Sequence, residues 1–391
     1  MDKIQVLDFP RFLNKEKYKT GWLVDSSRPF SIKTVLMNYK VLTINPGSTS
    51  TKIALYGEQG EVWSQTLRHP AEEIAKFGRI AEQFEWRLEL ILAAMKERGE
   101  NVTELSAVVG RGGLTKPIMG GTYEVSPALI EELRTTKMEH ASNLGAPLAD
   151  AVAREAGVKA YIVDPPTVDE LQPSARVSGV KALPRISVFH ALNQKAVARR
   201  YAAEVGKPYE ELNLVVAHMG GGVSVGAHRK GAVIDVNNAL DGEGPIAPER
   251  AGTLPAGALV EMCFSGDYTK AEIKKLLCGK GGVVDLLGTN SMIEVRERAG
   301  NGDEEAQLVL DAMCYTIAKS IGAMAAALDG CVDAVILTGG LAHSEVITGN
   351  ISRRVEFVAP VVIYPGEDEM LALAESGLAV LRGEREAKIY E

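Results

Sequence analysis

Cysteine is scarce in this chain, and the few thiols stand apart from one another. The 391 residues include four cysteines, which lie at positions 263, 278, 314 and 331. No two of them form a C-x-x-C pair, and no histidine lies at metal-ligand spacing from them. This usage favours separate reduced thiols over a disulfide framework or a zinc site.

Long apolar runs and an excess of basic charge are also missing. The sequence has no run of about 18 apolar residues, so we expect no membrane span. Its N-terminus lacks the basic-then-apolar layout of a signal peptide, and we therefore expect the cytoplasm. The formal net charge of -8 argues against nucleic acid or an anionic membrane as the main partner. A small anionic substrate stays possible, because a few arginines and lysines can make a cleft locally positive.

The first 36 residues lack any sustained hydrophobic period. The first strong strand pattern starts at Lys40, just after Met37. We interpret Met37 as the natural start and residues 1–36 as an N-terminal extension, either a tag or a start-codon artefact. The alternative is a genuine arm that packs on the surface.

Two similar groups of strands stand out in the remainder. Apolar runs predict strands at 41–44, 52–56 and 62–67 in the first half, and at 214–219, 225–228 and 232–236 in the second. In each group a turn rich in glycine, serine or threonine follows the first strand. The repeat of this pattern indicates an internal duplication.

Helical patterns separate the strand groups. The spacing of apolar residues predicts helices over 80–95, 191–205, 306–328 and 369–382. A further strand over 334–337 ends at the turn Thr338-Gly339-Gly340, and a new helix is expected from about residue 343. Sheets that alternate with helices indicate an α/β protein of two related domains.

The turn after the first strand has the chemistry of a phosphate-binding loop. Glycine lets the backbone approach a phosphate closely, and hydroxyls and free N–H groups donate to its oxygens. The loop is not a Walker A motif, because it joins two strands and lacks the G-x-x-x-x-G-K-[ST] pattern. Together with the second loop at 220–224, it could grip one phosphate chain from opposite walls of a cleft. The third turn at Gly339 leads a strand into a helix, a favourable place for a nucleotide.

Three motifs in this order carry a family resemblance. They are NPGSTSTK at 45–52, HMGGGVSV at 218–225 and LTGGLAH at 337–343. Over about residues 38–385 the chain resembles the acetate/butyrate kinase family, and Pro46 and the triple glycine resemble its butyrate branch. The resemblance implies two duplicated actin/hexokinase-like (ribonuclease H-like) domains with mixed sheets flanked by helices. It divides the chain into a first domain at 37–185 with the C-terminal helix at 369–391, and a nucleotide-binding second domain at 186–368.

The resemblance also implies where the substrates bind. The residues beside the transferred phosphoryl group and Mg²⁺ would be Asn45, Ser48, Ser50 and Lys52. The nucleotide phosphates would contact His218, Gly220, Gly221 and Gly222, and the adenosine would contact Gly339 and Gly340. The metal ligands would be Asn45 and an acidic residue near the start of the last helix, with Glu369 preferred over Glu367.

Catalytic roles are implied for Asp164, His190 and Arg250. Acetate kinases carry a second substrate-binding arginine before a Val-Val pair, whereas Arg111 follows the pair in this chain. Two alternatives follow from this shift: Arg111 binds the substrate from a shifted position, or the substrate docks differently. Each of these residues also has a structural alternative: Asp164 could begin a turn, and His190 could cap a helix. His218 could make a structural hydrogen bond, and Lys52 could lie on a solvated strand face. The remaining histidines at 69, 140 and 228 belong to no recognised constellation and are interpreted as structural.

The implied reaction is ATP-dependent phosphorylation of butyrate, which yields butanoyl phosphate and ADP by direct in-line transfer with Mg²⁺. A carboxylate is already a deprotonated nucleophile, so the difficulty lies in bringing two anions together. The resemblance further implies at least a homodimer. Alternatives are another short or branched acid (acetate, propionate or isobutyrate), a sugar kinase or polyphosphate hydrolase of the same core, and a non-catalytic nucleotide-binding protein.

Overall fold

Two mixed β-sheets form the framework of this protein in a computed structural model, which describes residues 38–136 and 138–391. The strands in that part of the chain are β1 (Val41–Pro46), β2 (Ser50–Gly57), β3 (Gly60–Arg68), β4 (Ala107–Arg111), β5 (Thr122–Glu124), β6 (Lys159–Val163), β7 (Asn213–Met219), β8 (Val223–Arg229), β9 (Ala232–Val236), β10 (Ala334–Gly339), β11 (Val361–Pro365) and β12 (Lys388–Ile389).

The two sheets share one topology. The first has the order β12-β5-β6-β4-β1-β2-β3, and the second has the order β11-β10-β7-β8-β9. In each, an antiparallel meander (β1–β3 or β7–β9) is extended by two parallel strands (β4 and β6, or β10 and β11) on the side of its first strand. The internal duplication predicted from the repeated strand pattern is thereby confirmed.

Helices cover both sheets. They are α1 (Ala71–Ile74), α2 (Phe84–Glu97), α3 (Pro127–Thr135), α4 (Gly145–Ala156), α5 (Pro173–Arg176), α6 (Ala191–Glu204), α7 (Ala256–Phe264), α8 (Lys270–Leu277), α9 (Val283–Leu287), α10 (Met292–Gly300), α11 (Glu304–Ala327), α12 (Glu345–Val355) and α13 (Glu369–Leu381). Both faces of the central strands β1 and β7 are buried, and apolar residues therefore follow one another in these strands rather than alternating with exposed polar ones.

The predicted helices match these elements within a few residues, with one difference. The helix expected over 80–95 begins as a 3-10 turn at Ile80–Gln83 before α2 starts at Phe84. Strands β4, β5, β6, β11 and β12 were not predicted, since they are short and lack a distinctive period. Helices α1, α3, α4 and α5 and the short helices between residues 256 and 300 were not predicted either.

Helix α11 is the main element of the larger core. By length and composition it could cross a membrane, yet half of its most apolar stretch is buried within the protein. Its inner residues, among them Met313, Ile317 and Ile321, pack against β7 and β8. It is therefore a core helix of the second half of the chain, where close packing explains its many alanines.

Helices α6 and α13 join the two halves. Helix α6 contacts β7 and β10 of the second sheet, whereas α13 contacts β1 and β4 of the first, and the two helices also contact each other. The C-terminal helix thus packs on the first sheet, although 205 residues separate the end of β6 from the start of α13. The proposed domain boundaries stay a prediction, and the interpretation of Met37 and residues 1–36 lies outside the described residues.

Candidate active site

The first glycine-serine turn is held from behind by a buried arginine. The Gly47 N–H donates to the Ser50 carbonyl oxygen at 2.7 Å. Arg87, on α2, is fully buried and donates from Nη1 to the Gly47 carbonyl oxygen at 2.8 Å and to Thr51 Oγ1 at 3.0 Å. Burial lowers the pKa of Arg87 to about 10. Sequence reasoning missed this residue, because its partners lie about 40 positions away.

Lys52 and Ser48 lie at the open edge of that turn. Lys52 pairs with Asn45 across β1 and β2 and is exposed. It shares a strand face with Ala54 and Tyr56, which pack against α13. Ser48 is exposed and Ser50 is half-buried. Lys52 thus lies directly across from Asn45, and the contact of Lys52, Ser48 and Ser50 with the phosphoryl group stays a prediction.

The second and third glycine turns meet at the ends of β7, β10 and β11. Gly339 has φ of +88°, and a methyl group there would lie 2.4 Å from the Met219 carbonyl oxygen, so only glycine fits. Gly339 and Gly366 exchange two backbone hydrogen bonds, of 3.1 and 3.0 Å. Gly340 follows on the exposed side and opens a 3-10 turn. Close backbone contact between neighbouring strands therefore explains Gly339.

The start of α13 connects the two hairpins. Glu369 Oε2 accepts from Asn45 Nδ2 at 2.7 Å and from Arg111 Nη1 at 2.8 Å. Two residues earlier, Glu367 Oε1 lies 3.1 Å from Nε2 of His218, and a methyl group at Gly220 would lie 3.4 Å from the same oxygen. The two hairpins therefore line one crevice.

A cavity of about 130 Å³ opens into this crevice. Six of its lining residues are predicted site residues: Arg111, Asp164, His190, Gly222, Arg250 and Glu369. A methyl group at Gly222 would lie 3.6 Å from Arg250 Cγ. The apolar part of the wall consists of Leu114, Pro166, Val188, Phe189, Ala191, Leu192, Ala239 and Leu240.

Asp164 is held rigidly at the end of β6. Its φ of +36° is unusual for a residue with a side chain, and such strain concentrates at functional positions. Oδ1 accepts from the Gly121 N–H at 2.7 Å, and Oδ2 accepts from Arg199 Nη2 at 3.0 Å. Arg199 lies on α6, so this ion pair also ties the two halves of the chain together. The sequence analysis did not identify Arg199.

His190 and His218 stack beside the cavity. Their ring centroids are 3.9 Å apart, and their planes differ by 14°. The pKa of His190 is well below its ordinary value, because burial disfavours the charged ring and His218, Arg111 and Arg250 add positive potential. The nearness of His218, and then the charge of Arg111, outweighs burial and lowers the pKa of Glu367.

His140, which the sequence analysis left among structural residues, lies at the cavity. His140 lines the cavity, and its pKa is lowered by burial and then by Arg111 and Arg250. No local motif marks it, because the turn before α4 brings it to the site only in the folded chain. His69 and His228 lie outside the cavity lining and bond to Thr51 and to Tyr209 and Gln194.

The oxygen atoms of Asn45 and Glu369 suit Mg²⁺. This ion prefers oxygen ligands and is commonly held by one or two carboxylates together with substrate phosphates and water. Within residues 38–136 and 138–391, no cluster of three or more histidine, cysteine, aspartate or glutamate side chains could hold a metal alone. A site shared between Glu369, Asn45 and nucleotide phosphates fits this arrangement, whereas a cage made of protein ligands alone does not.

Comparisons with known proteins agree with this geometry. A family model described as the acetokinase family matches residues 181–359. Butyrate kinase 2 of Clostridium acetobutylicum is 56% identical over 91% of this chain and 100% of its own length. The chain belongs to the acetokinase family. Another relative of this acetokinase, butyrate kinase 1 of the same organism, is 55% identical over 90% of this chain and 100% of its own.

Solved structures of related kinases share the fold of this chain. The acetate kinase of Porphyromonas gingivalis matches with a TM-score of 0.73 at 21% identity, over 88% of this chain and all of its own. A propionate kinase of Francisella tularensis matches with a TM-score of 0.70 at 17% identity, over 86% of this chain and 98% of its own. The fold is the actin/hexokinase-like α/β fold that the sequence predicted. As an acetokinase, the chain is a phosphotransferase with a carboxyl group as acceptor and with ATP and ADP as nucleotide substrates.

Proposed function

We propose that this acetokinase transfers the γ-phosphoryl group of ATP to the carboxylate of butyrate, in the cytoplasm and with Mg²⁺. The observation that carries the proposal is the single cavity in which Arg111, Arg250 and His190 face an apolar wall. The names of the curated relatives, at 56% and 55% identity over nearly their whole lengths, agree with butyrate as the acid.

The polar end of the cavity suits two anions that must approach each other. Arg111 and Arg250 supply fixed positive charge, and guanidinium groups match the planar geometry of carboxylate and phosphate oxygens. His190 and His140 are held neutral by burial and by the arginines, so they can donate hydrogen bonds without adding charge. The cavity can thereby lower the repulsion between an acid and a triphosphate.

The apolar wall suits a short alkyl chain. Leu114, Val188 and Phe189 lie on this wall together with Ala239 and Leu240, and a chain of a few methylenes gains about 0.8 kcal/mol for each buried CH₂ group. This gain favours acids with an alkyl tail over acids or sugars that carry hydroxyl groups, which would lose hydrogen bonds with water.

The chemistry is an in-line displacement. A carboxylate oxygen forms a new bond to the γ-phosphorus while the bond from that phosphorus to the β–γ bridging oxygen breaks, and ADP leaves with the electron pair. No proton has to move, so no strong general base is needed. When bound between Glu369, Asn45 and the phosphates, Mg²⁺ supplies charge neutralisation. The acid and the equatorial oxygens of the transferred phosphoryl group are bound and oriented by Arg250, Arg111 and His190. Asp164 holds the cavity wall in place through its ion pair with Arg199.

The proposal is tested by the choice of acid. With Mg²⁺ and ATP, a coupled hydroxamate assay over acetate, propionate, butyrate, isobutyrate and valerate should give its highest kcat/KM with butyrate. A maximum with another of these acids would replace butyrate as the substrate. Absence of acyl phosphate from all of them, with phosphate released from ATP or transferred to a sugar, would contradict the proposed reaction.

Narrowing the apolar wall should change the preferred acid. Ala239→Leu fills part of the cavity, and we expect kcat/KM for butyrate to fall about 10–200-fold relative to that for acetate, the range for about one or two methylenes. Ala128→Leu is the matched control, because Ala128 is exposed on α3 and lies outside the cavity. An unchanged ratio in Ala239→Leu would remove this wall from the acyl site.

The homo-oligomer predicted from the family resemblance has support in α7. None of its nine residues is buried, although all but one are apolar or glycine. Val260 and Phe264, one turn apart, are 54% and 86% exposed in the part of the chain that the structure describes. Such an outward apolar face is typical of a surface that a second copy covers.

A charge on that face should separate the subunits. We expect Phe264→Glu to convert a dimer of the wild-type chain into a monomer in light scattering after gel filtration, because a buried unpaired carboxylate is costly. Phe357→Glu is the control, since Phe357 is similarly exposed, at 81%, at a distant loop. A Phe264→Glu protein that stays dimeric would place the interface elsewhere.

A further inference from the structure

A buried chain of hydrogen bonds leads from the cavity histidine into the second sheet. It begins at His190, whose Nδ1 lies 2.9 Å from Ser224 Oγ. Ser224 belongs to β8 and is fully buried. The same hydroxyl oxygen accepts from Gln194 Nε2 at 2.8 Å, and the backbone N–H of His190 approaches it at 3.4 Å. Each group in this hydrogen-bond chain is expected to have a partner, because a buried polar group without one is costly.

The orientation of the Gln194 side-chain amide follows from its contact with the Ser224 carbonyl group. Gln194 Nε2 lies 3.0 Å from the Ser224 carbonyl oxygen, which can only accept. The nitrogen and oxygen of this amide are therefore assigned by chemistry, and Oε1 must face the other way. On that side it lies 2.9 Å from His228 Nε2. Since Oε1 can only accept, His228 carries its proton on Nε2.

The end of the hydrogen-bond chain at Tyr209 is consistent with this assignment. With its proton on Nε2, neutral His228 has an acceptor at Nδ1, and the Tyr209 hydroxyl donates to it at 2.7 Å. Burial, with Lys195 and Arg199 nearby, holds the pKa of His228 well below its ordinary value, which keeps the ring neutral. Each proton from Tyr209 to Gln194 thus has one position.

The same reasoning reaches the cavity. Gln194 and the His190 backbone are donors toward Ser224 Oγ, so among the described residues the hydroxyl proton has one acceptor within reach, His190 Nδ1. A proton on Nδ1 would leave three donors around one oxygen and the buried hydroxyl proton unpaired. His190 therefore accepts at Nδ1 and, as a neutral ring, carries its proton on Nε2.

We propose that Tyr209, His228, Gln194 and Ser224 are positioning residues that fix the Nε2–H tautomer of His190. This inference rests on the proposed function for its catalytic meaning. With Nδ1 occupied by Ser224, Nε2 is the ring nitrogen available to a ligand in the cavity that His190 lines. Phosphoryl oxygens only accept hydrogen bonds, so an Nε2–H group attracts them, whereas the lone pair of the other tautomer would repel them.

The residue pattern of β8 positions the groups of this hydrogen-bond chain. Ser224, Gly226 and His228 alternate along the strand and share one face. A methyl group at Gly226 would lie 2.5 Å from Gln194 Oε1, so glycine leaves the room that the amide occupies. Gln194, on α6, lies one helical turn beyond His190, the N-cap residue of that helix, and both side chains reach this strand face.

The tautomer can be measured directly. In uniformly ¹⁵N-labelled protein without ligands, long-range ¹H–¹⁵N correlation spectra of the six histidines report which ring nitrogen carries the proton. The signals of His190 are assigned by their loss in His190→Gln. We expect Nε2–H for His190 in the wild-type chain and a mixture of tautomers in Ser224→Ala. Ser224→Thr, which keeps a hydroxyl, should restore the wild-type pattern.

Two results would overturn the inference: an Nδ1–H tautomer of His190 in the wild-type protein, or an unchanged tautomer in Ser224→Ala. Ser187→Ala is the matched control, because Ser187 is also buried but donates to the Val168 carbonyl oxygen at 2.7 Å. We also expect Ser224→Ala to lower kcat about tenfold with little change in the KM for ATP, and Ser224→Thr to restore it. Because the spectra need no turnover, they test the tautomer even if butyrate proves not to be the substrate.

Discussion

Replacement of Arg250 by alanine is expected to lower kcat for acyl phosphate formation about a hundredfold or more, the usual cost of losing a donor to developing charge. Arg250 lines the cavity beside Gly222, and its Nη1 donates to the Glu249 carbonyl oxygen at 3.0 Å. Within the described residues its Nε is buried without a hydrogen-bond partner. A buried donor without a hydrogen-bond partner is costly unless a substrate oxygen accepts its hydrogen bond.

The control for this prediction is Arg298→Ala. Arg298 forms an ion pair with Asp303 at 2.8 Å, away from the cavity, and its loss should leave kcat within about twofold. Circular dichroism and thermal unfolding show whether each variant is folded. Near-normal turnover in folded Arg250→Ala would remove Arg250 from the reaction, and loss of folding alone is distinguished by Arg250→Lys, which keeps a cation.

The second large effect is expected at Arg111. Its pair with Glu369 has two possible meanings: a catalytic charge in the cavity, or a structural tie between β4 and α13. Arg111 and Glu369 side chains are 24% and 10% exposed, so Glu369 would be left as a poorly solvated charge without its partner. We expect Arg111→Ala to lower kcat about a hundredfold and also to lower the free energy of unfolding by about 1–3 kcal/mol.

A double substitution separates those two meanings. Glu369→Gln removes the uncompensated charge, so Arg111→Ala/Glu369→Gln should regain most of the lost stability while kcat stays low. Arg382→Ala, which breaks a surface ion pair with Glu58, is the control for the loss of an arginine–glutamate pair. Since Glu369 is itself a proposed Mg²⁺ ligand, turnover is compared with that of Glu369→Gln alone: a double variant as active as this single variant would show that Arg111 acts only as a structural tie.

The location of the glycine-rich turns could be predicted because their signals are local. A turn needs glycine and small polar residues within about four positions, whatever the rest of the chain does. Gly47 and Ser50 close the first turn with a single short-range hydrogen bond. The repeat of this pattern at Gly220–Gly222 was visible for the same reason, and it predicted the duplicated topology of the two sheets.

The roles of individual charged residues were harder to predict, because their partners are distant in sequence. Glu367 and Glu369 differ by two positions, yet one contacts His218 and the other contacts Asn45 and Arg111. Asn45 and Glu369 are 324 residues apart. His140 carries no motif at all, and only the packing of the turn before α4 brings it to the cavity.

The sequence by itself determined the α/β class, the two strand meanders and the glycine turns that mark the acetokinase family, since these depend on periodicity and on the backbone freedom of glycine. Only the tertiary structure decided which acidic residue faces which hairpin, and how Ser224 and Gln194 order the protons around His190. Those outcomes depend on which buried donors and acceptors meet after folding, and burial makes each unpaired group costly enough to select one arrangement.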